Sequence, residues 1–464
     1  YGSVFNVTQL IPINFTTYSD CSAYRNDENP VINASSYTIE LRSPLGAYEL
    51  CSPINNSYQG WYNCTWNSTA KKEGYWSIRL NSTKEYFNSN SSLYENWFEL
   101  ENWNATNTSL PIVTPNSGGW SRIFNYTINV YDQEGDTINC SLYISKDNQT
   151  TWIYKGSYII KGTPGIPTKG TCWIALHDFD CSDIDKPEDG NWIESKSKWF
   201  KWKIEDGEPE NAWFTQPLQG PNITESLASI SYVTGNESYV NRSSGINQVI
   251  RLAVNVYDTE NNSYAKNVNI SFWLTHDNSN LQFDVLNQTD LEGNASYYLN
   301  PDCSYTTGKQ YWKAGITDSC YINANTTNFT YYVIGDQLLT LIQPLNGQTF
   351  LRGSNITIRA NVTDDCKSLM NVDSISFISK SNETLQEFYC NPINEALGYY
   401  NCTFNTSYPT LMPARYYNIT INSSKQFYNP AIATWQNAFF IETKPELYGI
   451  QAYPSGDGGW GETW

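Results

Sequence analysis

The chain has 464 residues, 46 of them acidic and 28 basic, for a net charge of -18. Such a surface repels nucleic acid and anionic lipid headgroups. No run of about 18 apolar residues offers a membrane-spanning helix, so membrane attachment is expected only through an anchor outside this sequence.

With 35 Tyr and 17 Trp against two Met and two His, the composition favours strands over helices. The length predicts three to five modules of roughly 100 to 200 residues each. The first residues form no charged-then-apolar signal segment, so the expectation is a mature exported chain or a piece of one.

In chain order, the first module, A, covers residues 1–105. Its "CSPINNSYQGWYNCTWNST" (51–69) is written again as "CNPINEALGYYNCTFNTS" (390–407). Downstream, "GYWSIRLNSTKEYF" (74–87) matches "RYYNITINSSKQFY" (415–428), and upstream Cys21 falls opposite Cys366. Module A is therefore expected twice, at 1–105 and 337–444. The first copy lacks the strand-like "QLLTLIQPLNGQT" that precedes the second.

Module B, 106–218, contains "FNYTINVYDQEGDTINCSLYISKDNQTTW" and closes on "WFKWKIEDGEPENAW". Module C, 219–336, contains "IRLAVNVYDTENNSYAKNVNISFWLTHD" and "TDLEGNASYYLNPDCSYTTGKQYWKAGI". All read as short alternating strands between Gly, Asn, Asp and Pro turns, the pattern of a β-sandwich. Residues 445–464 resemble the start of module B, either a second copy beginning or a strand for a neighbouring subunit.

About thirty Asn-X-Ser/Thr acceptors run from Asn6 to Asn422, a signature of exported, N-glycosylated chains. In "SNITIRANVTDDC" a period of two puts Ile356, Ile358, Ala360 and Val362 on one face, with Asn355 and Asn361 on the other. Asn418 and Asn422 fall opposite Tyr417, Ile419 and Ile421, and Asn269 falls opposite Val268, Ile270 and Phe272. The same reading takes Asn6, Asn14, Asn63, Asn67, Asn81, Asn125, Asn139, Asn294, Asn401 and Asn405 as glycan sites. N-linked glycans are thus the expected covalent attachment.

Eleven cysteines in an oxidising compartment imply disulfides with at least one thiol left over. Local pairing gives Cys51 with Cys64, Cys390 with Cys402, Cys303 with Cys320 and Cys172 with Cys181. Cys21, Cys140 and Cys366 remain unassigned, and Cys21 with Cys51 is a rival pairing.

No nucleophile elbow, phosphate-binding glycine loop, zinc-protease motif or dinucleotide fingerprint occurs, and no enzyme is expected. In "HDFDCSDIDKPED" (177–189) the spacing of Asp178, Asp180, Asp183 and Asp185 suits an irregular calcium loop, against the alternative of an ordinary solvated loop. No acceptor lies between Asn148 and Asn222, which makes module B, with Trp199 as its candidate exposed aromatic, the expected contact surface between subunits.

These residues resemble the tandem immunoglobulin-like or fibronectin-like domains of archaeal cell-surface glycoproteins, S-layer-like or filament-forming, and module C is similar to the invasin-type bacterial immunoglobulin-like domain. The resemblance implies an all-β fold of tandem immunoglobulin-like sandwiches in an elongated array, extracellular and on the cell surface. The expected role is structural, in a filament or lattice formed as a homo-oligomer through module B or by strand exchange at the termini. The rival is an adhesin binding carbohydrate or a partner cell.

Overall fold

The computed structural model describes residues 2–20, 31–185, 197–207, 212–242, 249–407 and 412–449. Residues 450–464, including most of the expected second start of module B, lie outside that set, as does Cys21. The chain divides into two units, Tyr1–Leu227 and Ala228–Trp464. Among the described residues the regular structure is β-strand, apart from one 3-10 turn at Cys181–Asp183, and no helix is long and apolar enough to cross a membrane.

The first sandwich is built from β1 (Ser3–Asn6), β2 (Leu10–Thr16), β3 (Ser36–Arg42), β4 (Tyr48–Leu50), β5 (Asn55–Tyr58), β6 (Trp61–Asn67), β7 (Gly74–Thr83) and β8 (Asn90–Glu101). One sheet runs β1-β8-β7-β3-β4, with β1 parallel to β8, and the other runs β2-β6-β5. Alternation puts Ile11, Ile13, Tyr62, Cys64 and Trp66 inside. Trp66 meets Trp76 at 4.7 Å and Phe98 at 5.9 Å between ring centroids, and each such buried side chain is worth roughly 1.5–3 kcal/mol.

The second sandwich packs Phe124–Asp132 and Thr168–Leu176 against Ile138–Ser145, Ile153–Ile160 and Trp199–Asp206. Trp199 to Ile204 alternate as expected, with Phe200, Trp202 and Ile204 in the core. Strand Asn222–Thr224 pairs with Ser117–Gly119, so this sandwich extends a few residues beyond the expected boundary at 218.

In the second unit, Ala228–Thr234, Ile250–Asp258 and Asn294–Leu299 face a sheet of Gln282–Gln288, Asn269–Leu274, Gly308–Ile316 and Phe329–Gln343. The last sandwich repeats the first. Its sheet Gln348–Leu351, Ala431–Glu442, Tyr416–Ser424, Ser374–Ser381, Glu387–Cys390 follows the order β1-β8-β7-β3-β4, and Asn355–Asp364, Tyr399–Asn405, Ile393–Ala396 follows β2-β6-β5.

The likeness reaches single residues. Trp76 pairs with Phe98 as Tyr417 pairs with Phe439, and each pair is followed by a bulge. The Tyr62 hydroxyl accepts from the Ala34 amide at 2.8 Å, and the Tyr400 hydroxyl accepts from Val372 at 2.9 Å. Two sentences of sequence so alike fold alike because the same core positions are filled by aromatics and the same loop is stapled by a disulfide. The described residues form an all-β tandem of immunoglobulin-like sandwiches, four among them.

Candidate functional site

The third and fourth sandwiches share a strand. Phe329–Gln343 pairs antiparallel with Gly308–Trp312 through its first half, then antiparallel with Arg359–Asp364 through its second. Odd-numbered residues face inward on both sides of the crossing: Tyr331 and Val333 are buried in one core, Gln337 is buried at the seam, and Leu339 and Leu341 pack on the other core. Gly335 sits at the crossing because a Cβ there would lie 2.6 Å from Tyr428 Cε1 and 2.9 Å from Thr307 Cγ2.

Three further ties close this joint. Arg242 of the third sandwich, 5% exposed, donates Nε and Nη2 to Asp365 at 3.1 and 2.8 Å, Nη2 to Asp364 at 3.1 Å and Nη1 to the Tyr305 carbonyl at 2.9 Å. Burial pushes the Asp365 carboxyl up, but hydrogen bonds from Arg242 and its charge outweigh this and hold the group below the usual carboxylate range. Cys303 is bonded to Cys366 with Cα atoms 5.7 Å apart. Finally Gln337 donates to the Asn429 carbonyl at 2.9 Å and accepts from Ser423 at 3.0 Å.

Among the described residues, the first sandwich has no equivalent of this shared strand. β2 pairs with β6 on one side, whereas its counterpart Asn355–Asp364 is flanked on both. Beside β2 lies an open groove of about 480 Å³ lined by Phe5, Phe15, Leu80, Tyr94, Trp97 and Phe98, among others. It occupies the place that Leu339 and Leu341 fill in the fourth sandwich.

All fifteen asparagines named as glycan sites lie outside the cores: Asn14, Asn67, Asn125, Asn355 and Asn405 are exposed, and the other ten are half-buried. Cross-strand register sets Asn14 beside Asn63 and Asn355 beside Asn405. Trp199 is half-buried, and its Nε1 donates to Asn148 Oδ1 at 3.0 Å.

The disulfides correct two expectations. Cys51–Cys64 and Cys390–Cys402 are bonded within their loops, with Cα atoms 6.1 and 5.9 Å apart. Cys172 is bonded to Cys140 rather than to Cys181, because the two stand face to face on opposite sheets of the second sandwich, both fully buried. Cys303 is bonded to Cys366 rather than to Cys320, because its loop lies at the joint beside Tyr305. Cys181 and Cys320 are also disulfide-bonded.

The 178–185 loop is occupied by lysines. Lys155 meets Asp178 at 2.6 Å, Lys146 meets Asp183 at 2.6 Å and Lys198 meets Asp185 at 3.1 Å, while Asp180 caps the 3-10 turn through the Ser182 amide. Their ammonium groups supply the positive charge a cation would bring. Among the described residues, three metal-donor atoms come within 4.8 Å of one another at Asp364, Asp365 and Cys366, and at Asp132, Glu134 and Asp136. At the first, Arg242 and the disulfide already use the donors.

No family model and no curated protein matches this chain. Solved structures similar to it include a tetra-tandem repeat from the extending region of a large adhesion protein (TM-score 0.34, 11% identity, 94% of this chain and 97% of that one). Another is a Ca2+-stabilised adhesin that helps an Antarctic bacterium bind ice (TM-score 0.25, 10% identity, 95% and 96%). A third is the titin tandem immunoglobulin domain pair A164–A165 (TM-score 0.22, 9% identity, 47% and 98%).

Proposed function

We propose that the chain is a structural element of an extracellular assembly on a cell surface, an N-glycosylated array of sandwiches forming a filament or lattice. The observation that carries this reading is the joint between the third and fourth sandwiches. A shared strand, a buried guanidinium clamp and a covalent cross-link hold the two together, which suits a load-bearing connection. Acceptor asparagines outside the cores and disulfides throughout support export.

The edge of β2 that no other described strand pairs with is where a neighbouring subunit adds a strand of the Gln337–Gln343 kind, docking as residues 228–336 dock on the fourth sandwich. Two positions support this. Asp20 stands in the sequence where Asp365 stands in the second copy, and Cys21 where Cys366 stands, while Ser19 replaces Asp364, so one of the two carboxylates that meet Arg242 and the cysteine that meets Cys303 are present again.

Electron microscopy of the native assembly is the test. Ordered filaments or sheets with sandwiches joined end to end are expected. Isolated chains with no sandwich contacting a neighbouring chain, from a source that makes the protein natively, would remove the proposal.

A further inference from the structure

The turn Asp132-Gln133-Glu134-Gly135-Asp136 leaves the end of strand Phe124–Asp132 in the second sandwich. Asp132, Glu134 and Asp136 each bring a carboxylate oxygen within 4.8 Å of the others. Asp206, at the end of strand Trp199–Asp206, is close enough to feel the charges of Asp132 and Asp136. Asp132, Glu134 and Asp206 are 1%, 4% and 1% exposed.

Acidic residues gathered in a turn are ordinary. What sets these apart is how their oxygens are used. Asp132 Oδ1 accepts from the amides of Gly135 and Asp136 at 2.6 and 2.7 Å. Glu134 Oε1 accepts from the Trp103 amide at 2.8 Å, and Asp206 Oδ2 accepts from the Ala105 amide. The second oxygen of each, Asp132 Oδ2, Glu134 Oε2 and Asp206 Oδ1, is buried with no hydrogen-bond partner.

Three separate carboxylates thus spend one oxygen on the backbone and leave the other buried without a partner, an arrangement that is costly unless a positive charge reaches it. Burial, with repulsion from neighbouring carboxylates, pushes Glu134 up to about 8 and Asp206 up to about 6. Lys71 and Lys72 line the adjoining pocket but are paired with Glu49 and Glu73.

We propose that Asp132, Glu134, Asp136 and Asp206 bind a divalent cation of the calcium class. The donors are carboxylate oxygens with no sulfur or imidazole among them, which suits a hard ion. They come from a turn and a separate strand end rather than from an octahedral cage, which suits the larger and more tolerant Ca2+ over Mg2+. The Trp103 and Ala105 amides belong to the link between β8 and the second sandwich, so the cation fixes the carboxylates that hold that link.

The full chain, stripped with a chelator, is followed by calorimetry and hydrogen exchange with Ca2+ or Mg2+ added. Millimolar Ca2+ is expected to raise the melting transition by about 5 °C and to slow exchange in residues 101–107, with Mg2+ giving a much smaller response. Glu134→Gln and Asp206→Asn should abolish both effects and Asp180→Asn should leave them intact. Should a buried variant fail to fold, Asp136→Asn, at a half-buried position, replaces it. A chain indifferent to Ca2+, one that responds equally to Mg2+, or a response that survives these substitutions overturns the assignment.

Discussion

The guanidinium of Arg242 grips the carboxylate of Asp365 in a fork, Nε to Oδ2 at 3.1 Å and Nη2 to Oδ1 at 2.8 Å, across the seam between two sandwiches. With side chains 6% and 8% exposed, the pair is nearly dry. Removing one partner strands the other, so Arg242→Ala is expected to cost about 3–5 kcal/mol. Arg242→Lys should recover little of this, since an ammonium cannot make two parallel contacts. Denaturant unfolding of the second unit's transition measures both, and a change within about 0.5 kcal/mol for Arg242→Ala would show that the fork holds nothing.

Acid should loosen the same joint. Asp365 is held below its ordinary value, so near and below about pH 4 the unfolded chain takes up a proton that the folded chain refuses. The stabilisation is therefore complete above the unfolded value and lost as pH falls through the lower, folded one. Melting temperatures measured from about pH 6 to about pH 2.5 should fall more steeply for the native chain than for Asp365→Asn. Parallel curves would assign the acid sensitivity to other carboxylates.

The cross-links should differ in worth. Cys303–Cys366 closes a separation of 63 residues and Cys51–Cys64 one of 13. The chain-entropy relation gives about 4 kcal/mol for the first and about 3 kcal/mol for the second. Paired Cys→Ser variants compared by denaturation should keep that order. If the short loop proves the more important, restriction of the unfolded chain is not the source of the effect.

A peptide with the sequence of residues 335–344 should bind beside β2. It carries Leu339 and Leu341, which pack on the core of the fourth sandwich, and the groove lined by Phe15, Leu80 and Trp97 presents the matching space. Exchange of β2 amides should slow on adding it, and a peptide with both leucines changed to Asp should have no effect. Equal protection by both peptides would mean that the edge, not the groove, is recognised.

Local features were legible in the sequence and long-range ones were not. Alternation placed Ile356, Ile358 and Val362 inside and Asn355 outside because each strand's two faces are written within a few residues. The pairing of Cys172 escaped because its partner, Cys140, lies across the sandwich on a strand 32 residues earlier. The 178–185 loop has spacing that suits calcium, but Lys146, Lys155 and Lys198 come to it from other strands. The opposite holds for Asp132, Glu134 and Asp136: sequence reading passed over their stretch, although acids at every second position around Gly135 were a signal available there. What completes the set, Asp206, arrives from a strand some seventy residues on.

The strand Phe329–Gln343 also sets a rule for how this sequence can change. Its inward parity runs unbroken from Tyr331 to Leu341, so inserting or deleting a single residue near Gly335 would turn every later side chain to the opposite face. Length variation that surface loops absorb freely is forbidden here, and related chains with the same coupling should show no gaps between positions 331 and 341, whatever their loops do.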